Sequence, residues 1–202
     1  KMTELISFHS EFATNRLVLL HGWGADAQNL VPVGKLLTKD FEDCFELVFF
    51  SAPQLHPSGL GRQWYPLYPH EWEQIPKAVS DLERRLKNLC YEKIPLNKTL
   101  LLGFSQGGAM ALELATRIKF AGVFALSSYP HPDWKPLNDM PPVFLCHGNM
   151  DQVVPKEASQ RSFDILRKNG IQSELYFFDG GHEINNDLID HCTEIIKQKF
   201  LI

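Results

Sequence analysis

The sequence is easiest to place by what it lacks. It holds no uninterrupted apolar run approaching the 20 or so residues a membrane-spanning helix needs, so no stable membrane insertion is expected. It has no basic excess. Lys and Arg total 20 against 24 Asp and Glu, a formal charge of -4, the wrong sign for a nucleic-acid binder. Cysteine is sparse: Cys44, Cys90, Cys146 and Cys192 are far apart and form no C-x-x-C pair. That spacing excludes zinc-finger and dithiol redox motifs, and the four read as buried free thiols, with no metal expected. No secretory leader is expected at the N-terminus, which makes a reducing cytoplasm the expected setting. There is no internal repeat, low-complexity tract or linker in the 202 residues. A single domain over 1–202, monomeric or homodimeric, is the simplest account.

What is present is an alternation of two patterns. Six short runs, at 16–22, 45–53, 98–105, 121–128, 141–148 and 173–180, are nearly continuous in apolar residues. Strands buried on both faces read this way. The early "LISFHSE" reads as an antiparallel edge strand. Between these runs lie helical patterns. Ile75, Ala78, Val79, Leu82, Leu86 and Leu89 recur at spacings of three and four within a helix expected over 71–91. Further helices are expected over 109–118, over 156–169 with Gly170 closing it, and around Leu188–Ile196. A weaker one is expected over 29–37, with Pro32 in its first turn. Strand–helix alternation of this kind predicts an α/β fold with a mainly parallel central sheet and helices on both faces. Residues 53–71 break the pattern. They form a long segment rich in Pro and Gly that carries Trp64, Tyr65 and Tyr68, with Trp72 beyond, and such segments are often functional.

The chemistry centres on "LLLGFSQGG", residues 100–108, which contains G-x-S-x-G. A strand leads into it and a helix leads out, the context of a serine nucleophile on a tight turn. A serine hydroxyl needs a base to take its proton, and that base needs an acid to orient it. With this motif the chain order is Ser, then Asp or Glu, then His, each just past a strand, because sites in parallel sheets lie at the carboxyl ends of strands. "VFLCHGNMDQVVP" places Asp151 past one strand and "LYFFDGGHEI" places His182 past the last. Asp133 and Asp139 are rival acids, and Asp179 is too near His182 in sequence to orient it. His21 and His147, each before a glycine at a strand end, read as structural turn residues. The oxyanion of an acyl-transfer intermediate needs N–H donors. The amide of Gln106 follows the nucleophile, and "LLHGWGAD" offers the amide of Trp23. The side chains of Trp23, Trp64 and Tyr65 are candidate pocket walls.

Taken in order, "LLHGWGADAQNL", "FSAPQ" with "GRQWY", "GFSQGGAMALELA", "CHGNMDQVVP" and "GGHEI" resemble the phospholipase/carboxylesterase group of α/β-hydrolases, which includes the acyl-protein thioesterases. The resemblance spans roughly residues 16–185. It implies an α/β-hydrolase fold and a serine esterase or thioesterase that uses no cofactor. Ser105 would be the nucleophile, Asp151 the acid, His182 the base, and the amides of Trp23 and Gln106 the oxyanion hole. The implied partner is a small ester or thioester, or a lipid or acylated protein. Trp23 stands where the group often has leucine. A bulkier side chain there implies a shortened acyl pocket and a preference for short or medium chains over long ones. A non-catalytic hydrolase-like binding protein is the reading from another class, and the presence of all three triad candidates weighs against it.

Overall fold

In the computed structural model, residues 4–89 and 93–201 are described; Cys90 and the end of the helix expected to reach Tyr91 lie outside them. A seven-stranded sheet runs through the protein in the order β1-β3-β2-β6-β7-β8-β9. The strands are β1 (Leu5–Phe8), β2 (Asn15–Leu20), β3 (Phe45–Phe50), β6 (Thr99–Phe104), β7 (Gly122–Leu126), β8 (Val143–Gly148) and β9 (Ser173–Phe178). All neighbours pair in parallel except β1, which lies antiparallel along β3 with Leu5 opposite Phe50. The expected edge strand and the six apolar runs are thus all present. A short hairpin of β4 (Gln54–Leu55) and β5 (Arg62–Gln63) stands apart from the sheet.

The continuous apolar runs exist because both faces of the sheet are covered. Along β2, Val18 and Leu20 face one core, which also takes in Val79, Leu82, Leu86, Met110 and Leu166. Leu17 and Leu19 face the other, with Leu30, Leu37, Leu188 and Ile196. The first core is roofed by α2 (Ile75–Asn88), α3 (Gln106–Ala115) and α4 (Glu157–Lys168), and the second by α1 (Ala27–Thr38) and α5 (Asn186–Phe200). A fully buried Leu or Val side chain contributes roughly 1.5–3 kcal/mol. The two cores are therefore what anchors the strand ends in place.

Three helix expectations need correction, the first being the helix over 109–118, which runs instead from Gln106 to Ala115. The helix over 71–91 begins as a 3₁₀ turn at Trp72–Gln74 and becomes α-helical only at Ile75, where Pro76 fits the first turn. The early helix starts at Ala27 rather than Asn29, so Pro32 lies inside it and not in its first turn. Its start is set by a capping box. Asp26 accepts from the amides of Gln28 and Asn29, while the Asn29 side chain accepts from the Asp26 amide.

Candidate active site

Ser105, Asp151 and His182 lie past the carboxyl ends of β6, β8 and β9. They converge although 77 residues separate the outer two. Ser105 sits at φ 54, ψ -118, between strand and helix. For a residue other than glycine that backbone costs about 1–3 kcal/mol and persists only where its surroundings enforce it. Here they do. Its N–H donates to Leu126 O at 2.8 Å, and its carbonyl accepts from Ser128 Oγ at 2.9 Å. The following turn presses onto β2: a Cβ on Gly107 would lie 2.2 Å from Leu20 O. Only glycine permits that approach.

The hydroxyl so presented meets an ordered imidazole. His182 Nε2 is 3.0 Å from Ser105 Oγ, and its Nδ1 is 2.7 Å from Asp151 Oδ2. A carboxylate can only accept, so Nδ1 carries the proton and Nε2 is left to accept from the serine. Phe104 lies against the ring, centroids 4.9 Å apart. The Asp151 side chain is fully buried. Burial alone would raise its pKa, but hydrogen bonds from His182 and from the amides of Val154 and Val153 outweigh it and hold the carboxyl below its ordinary range. The loops bearing the acid and the base interlock, with Asn149 N–H donating to Phe178 O and Met150 N–H to Gly180 O. The rival acids are elsewhere engaged. Asp139 pairs with Lys119, and Asp179 accepts from Asn149. Asp133 lies in a turn at φ 60.

His21 and His147 are structural, as expected, but what they brace is the site itself. Ala52 N–H donates to His21 Nε2 at 3.0 Å, so Nδ1–H donates to Gly22 O at 2.7 Å. Burial lowers the His21 pKa to about 4, keeping it neutral. In a planar trans peptide the next N–H points opposite to the carbonyl. Turning the Gly22 carbonyl onto His21 therefore turns the Trp23 N–H away from it. Gly22 adjoins the serine, since a Cβ there would lie 3.3 Å from Ser105 Cβ. Among the described residues no acceptor takes the N–H of Trp23 or of Gln106. On the other side, His147 Nε2–H donates to Val154 O at 2.8 Å and lies 3.3 Å from Asp151 Oδ2. It thereby holds the turn whose amides bind Asp151.

The aromatic segment divides. Trp64 and Tyr65 are buried in the first core, 1% and 0% exposed, so they pack rather than face a ligand as pocket walls. The Trp64 indole N–H donates to His21 O at 2.9 Å. The Trp23 indole is half-buried, bonded to Gln63 Oε1 at 2.8 Å and lying edge-on to His56 and Tyr68. Sequence reasoning missed the side chain of Gln106. Its Oε1 accepts from Trp64 N–H at 3.0 Å and its Nε2 donates to Tyr65 O at 2.8 Å. No group of three or more His, Cys, Asp or Glu suited to a metal ion occurs among the described residues. No described helix is long and apolar enough to cross a membrane.

Comparison with known proteins agrees with the fold class. Residues 3–199 match the family described as phospholipase/carboxylesterase. Over 134 residues the chain is 36% identical to acyl-protein thioesterase 1 homolog 1 of Dictyostelium discoideum, covering 62% of this chain but only 59% of that protein. Over 185 residues it is 31% identical to acyl-protein thioesterase 1 of Cryptococcus neoformans, covering 77% of this chain and 74% of the relative. Among solved structures, esterase PE8 matches with a TM-score of 0.89 at 28% identity, over 98% of this chain and all of that one.

Proposed function

This chain belongs to the phospholipase/carboxylesterase family of α/β-hydrolases, and we propose that it cleaves carboxylic esters or thioesters through an acyl-enzyme on Ser105. The observation that carries the proposal is the continuous line Asp151–His182–Ser105, with contacts of 2.7 and 3.0 Å and the acid fully buried. His182 Nε2 takes the hydroxyl proton as Oγ attacks the acyl carbon, and Asp151 steadies the imidazolium that forms. The carbonyl oxygen becomes an oxyanion, received by the N–H groups of Trp23 and Gln106, the latter at the N-terminus of α3. His182 returns its proton to the departing alcohol or thiol. Water then repeats the sequence on the acyl-enzyme and frees the acid. Every step uses groups of this chain, and the setting proposed for it is the reducing cytoplasm, which Cys44, Cys146 and Cys192 fit as free thiols.

The test is p-nitrophenyl butyrate hydrolysis by wild type and Ser105→Ala, with labelling by a fluorophosphonate. Wild type is expected to turn over and to label, and the variant to do neither while keeping its unfolding temperature. A variant that still turns over refutes the assignment. For the acyl group we propose short or medium chains, because the Trp23 indole is pinned by Gln63 and Tyr68 beside the oxyanion loop. A second reading, long acyl chains on lipids or proteins, is favoured by the names of the relatives. Met150 and Val153, the exposed apolar side chains flanking Asp151, also favour it. A p-nitrophenyl ester series separates the two. An optimum at twelve carbons or more would refute the short-chain reading.

A further inference from the structure

A second line of acid, histidine and hydroxyl runs through the protein beside the first. Glu113 Oε1, on α3, is 3.0 Å from His131 Nδ1. His131 Nε2 is 2.6 Å from Tyr65 Oη, which is 2.8 Å from Tyr129 Oη. His131 and Tyr65 are buried, and Tyr129 is half-buried. The polarity of this line follows from its far end. The Glu113 carboxylate can only accept, so in the neutral imidazole the proton sits on Nδ1 and Nε2 accepts. The Tyr65 proton therefore goes to His131, and the Tyr65 oxygen must take the Tyr129 proton. Burial raises the pKa of both tyrosines, that of Tyr129 to about 12, so both hydroxyls stay intact at neutral pH. The line ends on an oxygen whose proton is committed inward and whose remaining lone pair can only accept.

That oxygen belongs to the loop beside the nucleophile. β7 lies between β6 and β8, so the loop leaving it sits between the one bearing Ser105 and the one bearing Asp151. Leu126 and Ser128, just before Tyr129, hold the N–H and the carbonyl of Ser105. The charge Tyr68 would carry when ionised adds to the rise in the Tyr129 pKa. Tyr68 is exposed, with its ring edge-on to Trp23. Tyr129 itself follows directly on the residue that holds the Ser105 carbonyl.

We propose that Tyr129 is a specificity-determining residue, whose oxygen accepts a hydrogen bond from an N–H or O–H of the substrate. Esters and thioesters carrying such a donor near the scissile bond are then preferred over plain alkyl ones. The assignment rests on the hydrolase reading above. Its buried support also accounts for Tyr65, which acts through Tyr129 and touches no ligand.

The experiment compares kcat/KM at pH 8 within two matched pairs. The leaving-group pair is S-butyryl-N-acetylcysteamine and its isostere with CH2 in place of NH. The acyl pair is p-nitrophenyl N-acetylglycinate and p-nitrophenyl 4-oxopentanoate, which differ by the same exchange. Wild type is expected to favour the N–H member of at least one pair by about fivefold to tenfold. Tyr129→Phe is expected to erase that ratio, with the loss falling on the N–H member. Glu113→Gln, whose amide offers Nδ1 either a donor or an acceptor, is expected to reduce it. A wild type without preference, a ratio unchanged in Tyr129→Phe, or equal losses in both members of a pair would overturn the assignment. Wild type that turns over none of the four substrates would overturn the hydrolase reading instead.

Discussion

Replacing Asp151 by Asn tests the candidate site most sharply, because the structure dictates how the amide must sit. Asp151 Oδ1 accepts from the amides of Val153 and Val154 at 2.8 and 2.9 Å, and Oδ2 accepts from His182. The two backbone donors fix the Asn oxygen in the Oδ1 position, so its NH2 group faces His182 Nδ1. Two donors cannot share that contact. The imidazole must move its proton to Nε2, the atom that has to accept from Ser105. The variant should fold but hold its base in the wrong tautomer. In serine hydrolases that defect costs about 10³–10⁴ in kcat, equivalent to roughly 4–5.5 kcal/mol of barrier. The assay is p-nitrophenyl butyrate hydrolysis at pH 8, paired with thermal unfolding. An unfolding temperature near that of wild type with kcat down at least a thousandfold is the expected result. A folded variant within tenfold of wild type would refute the reasoning, because His182 would then be oriented by something other than Asp151.

Two further predictions concern the groups that brace the site. His21 takes up a proton below about 6.5 when unfolded but only below about 4 in the folded protein. Its contribution to stability is thus complete above pH 6.5 and is lost as pH falls towards 4, by at most about 3 kcal/mol. Urea midpoints measured from pH 7 to 4.5 should fall more steeply for wild type than for His21→Asn, and parallel curves would contradict the assignment. Gln106→Met keeps the shape but leaves the Trp64 N–H and the Tyr65 carbonyl unpaired in the core. The cost is about 2–4 kcal/mol, or very roughly 5–15 °C in unfolding temperature. A variant that melts with wild type would show that those two bonds carry no weight.

The parallel strands were legible because a sheet covered on both faces leaves long apolar runs, as at Phe45–Phe50. The runs read too long because sequence does not show where pairing stops. His21 and Gly22 look like a continuation of β2 until the imidazole is seen bonding Ala52. The triad candidates were legible because motif, order and position past a strand all constrain the same three residues. Trp64 and Tyr65 were not, since an aromatic in a long loop serves packing and recognition with the same composition. The line from Glu113 to Tyr129 leaves no periodic trace at all. Its partners are 18, 66 and 64 residues apart, and only the folded chain brings them together. The box at Asp26 was within reach, but its Asn at the third position differs from the usual Glu or Gln.

The way Gln106 and His21 hold the aromatic segment sets a limit on motion. From Arg62 to Tyr65 the backbone is tied to Ala25, Gly24 and the Gln106 side chain, and Trp64 is tied to His21. From Leu55 to Leu60 the chain is largely solvent-exposed and bonded mostly to itself. The two stretches therefore belong to different opening units. Amides near Ser58 and Leu60 are expected to exchange with solvent faster than the Trp64 amide, which is buried and bonded to the Gln106 side chain. Motion of the hairpin tip alone leaves the bonds that keep Ser105 in place undisturbed.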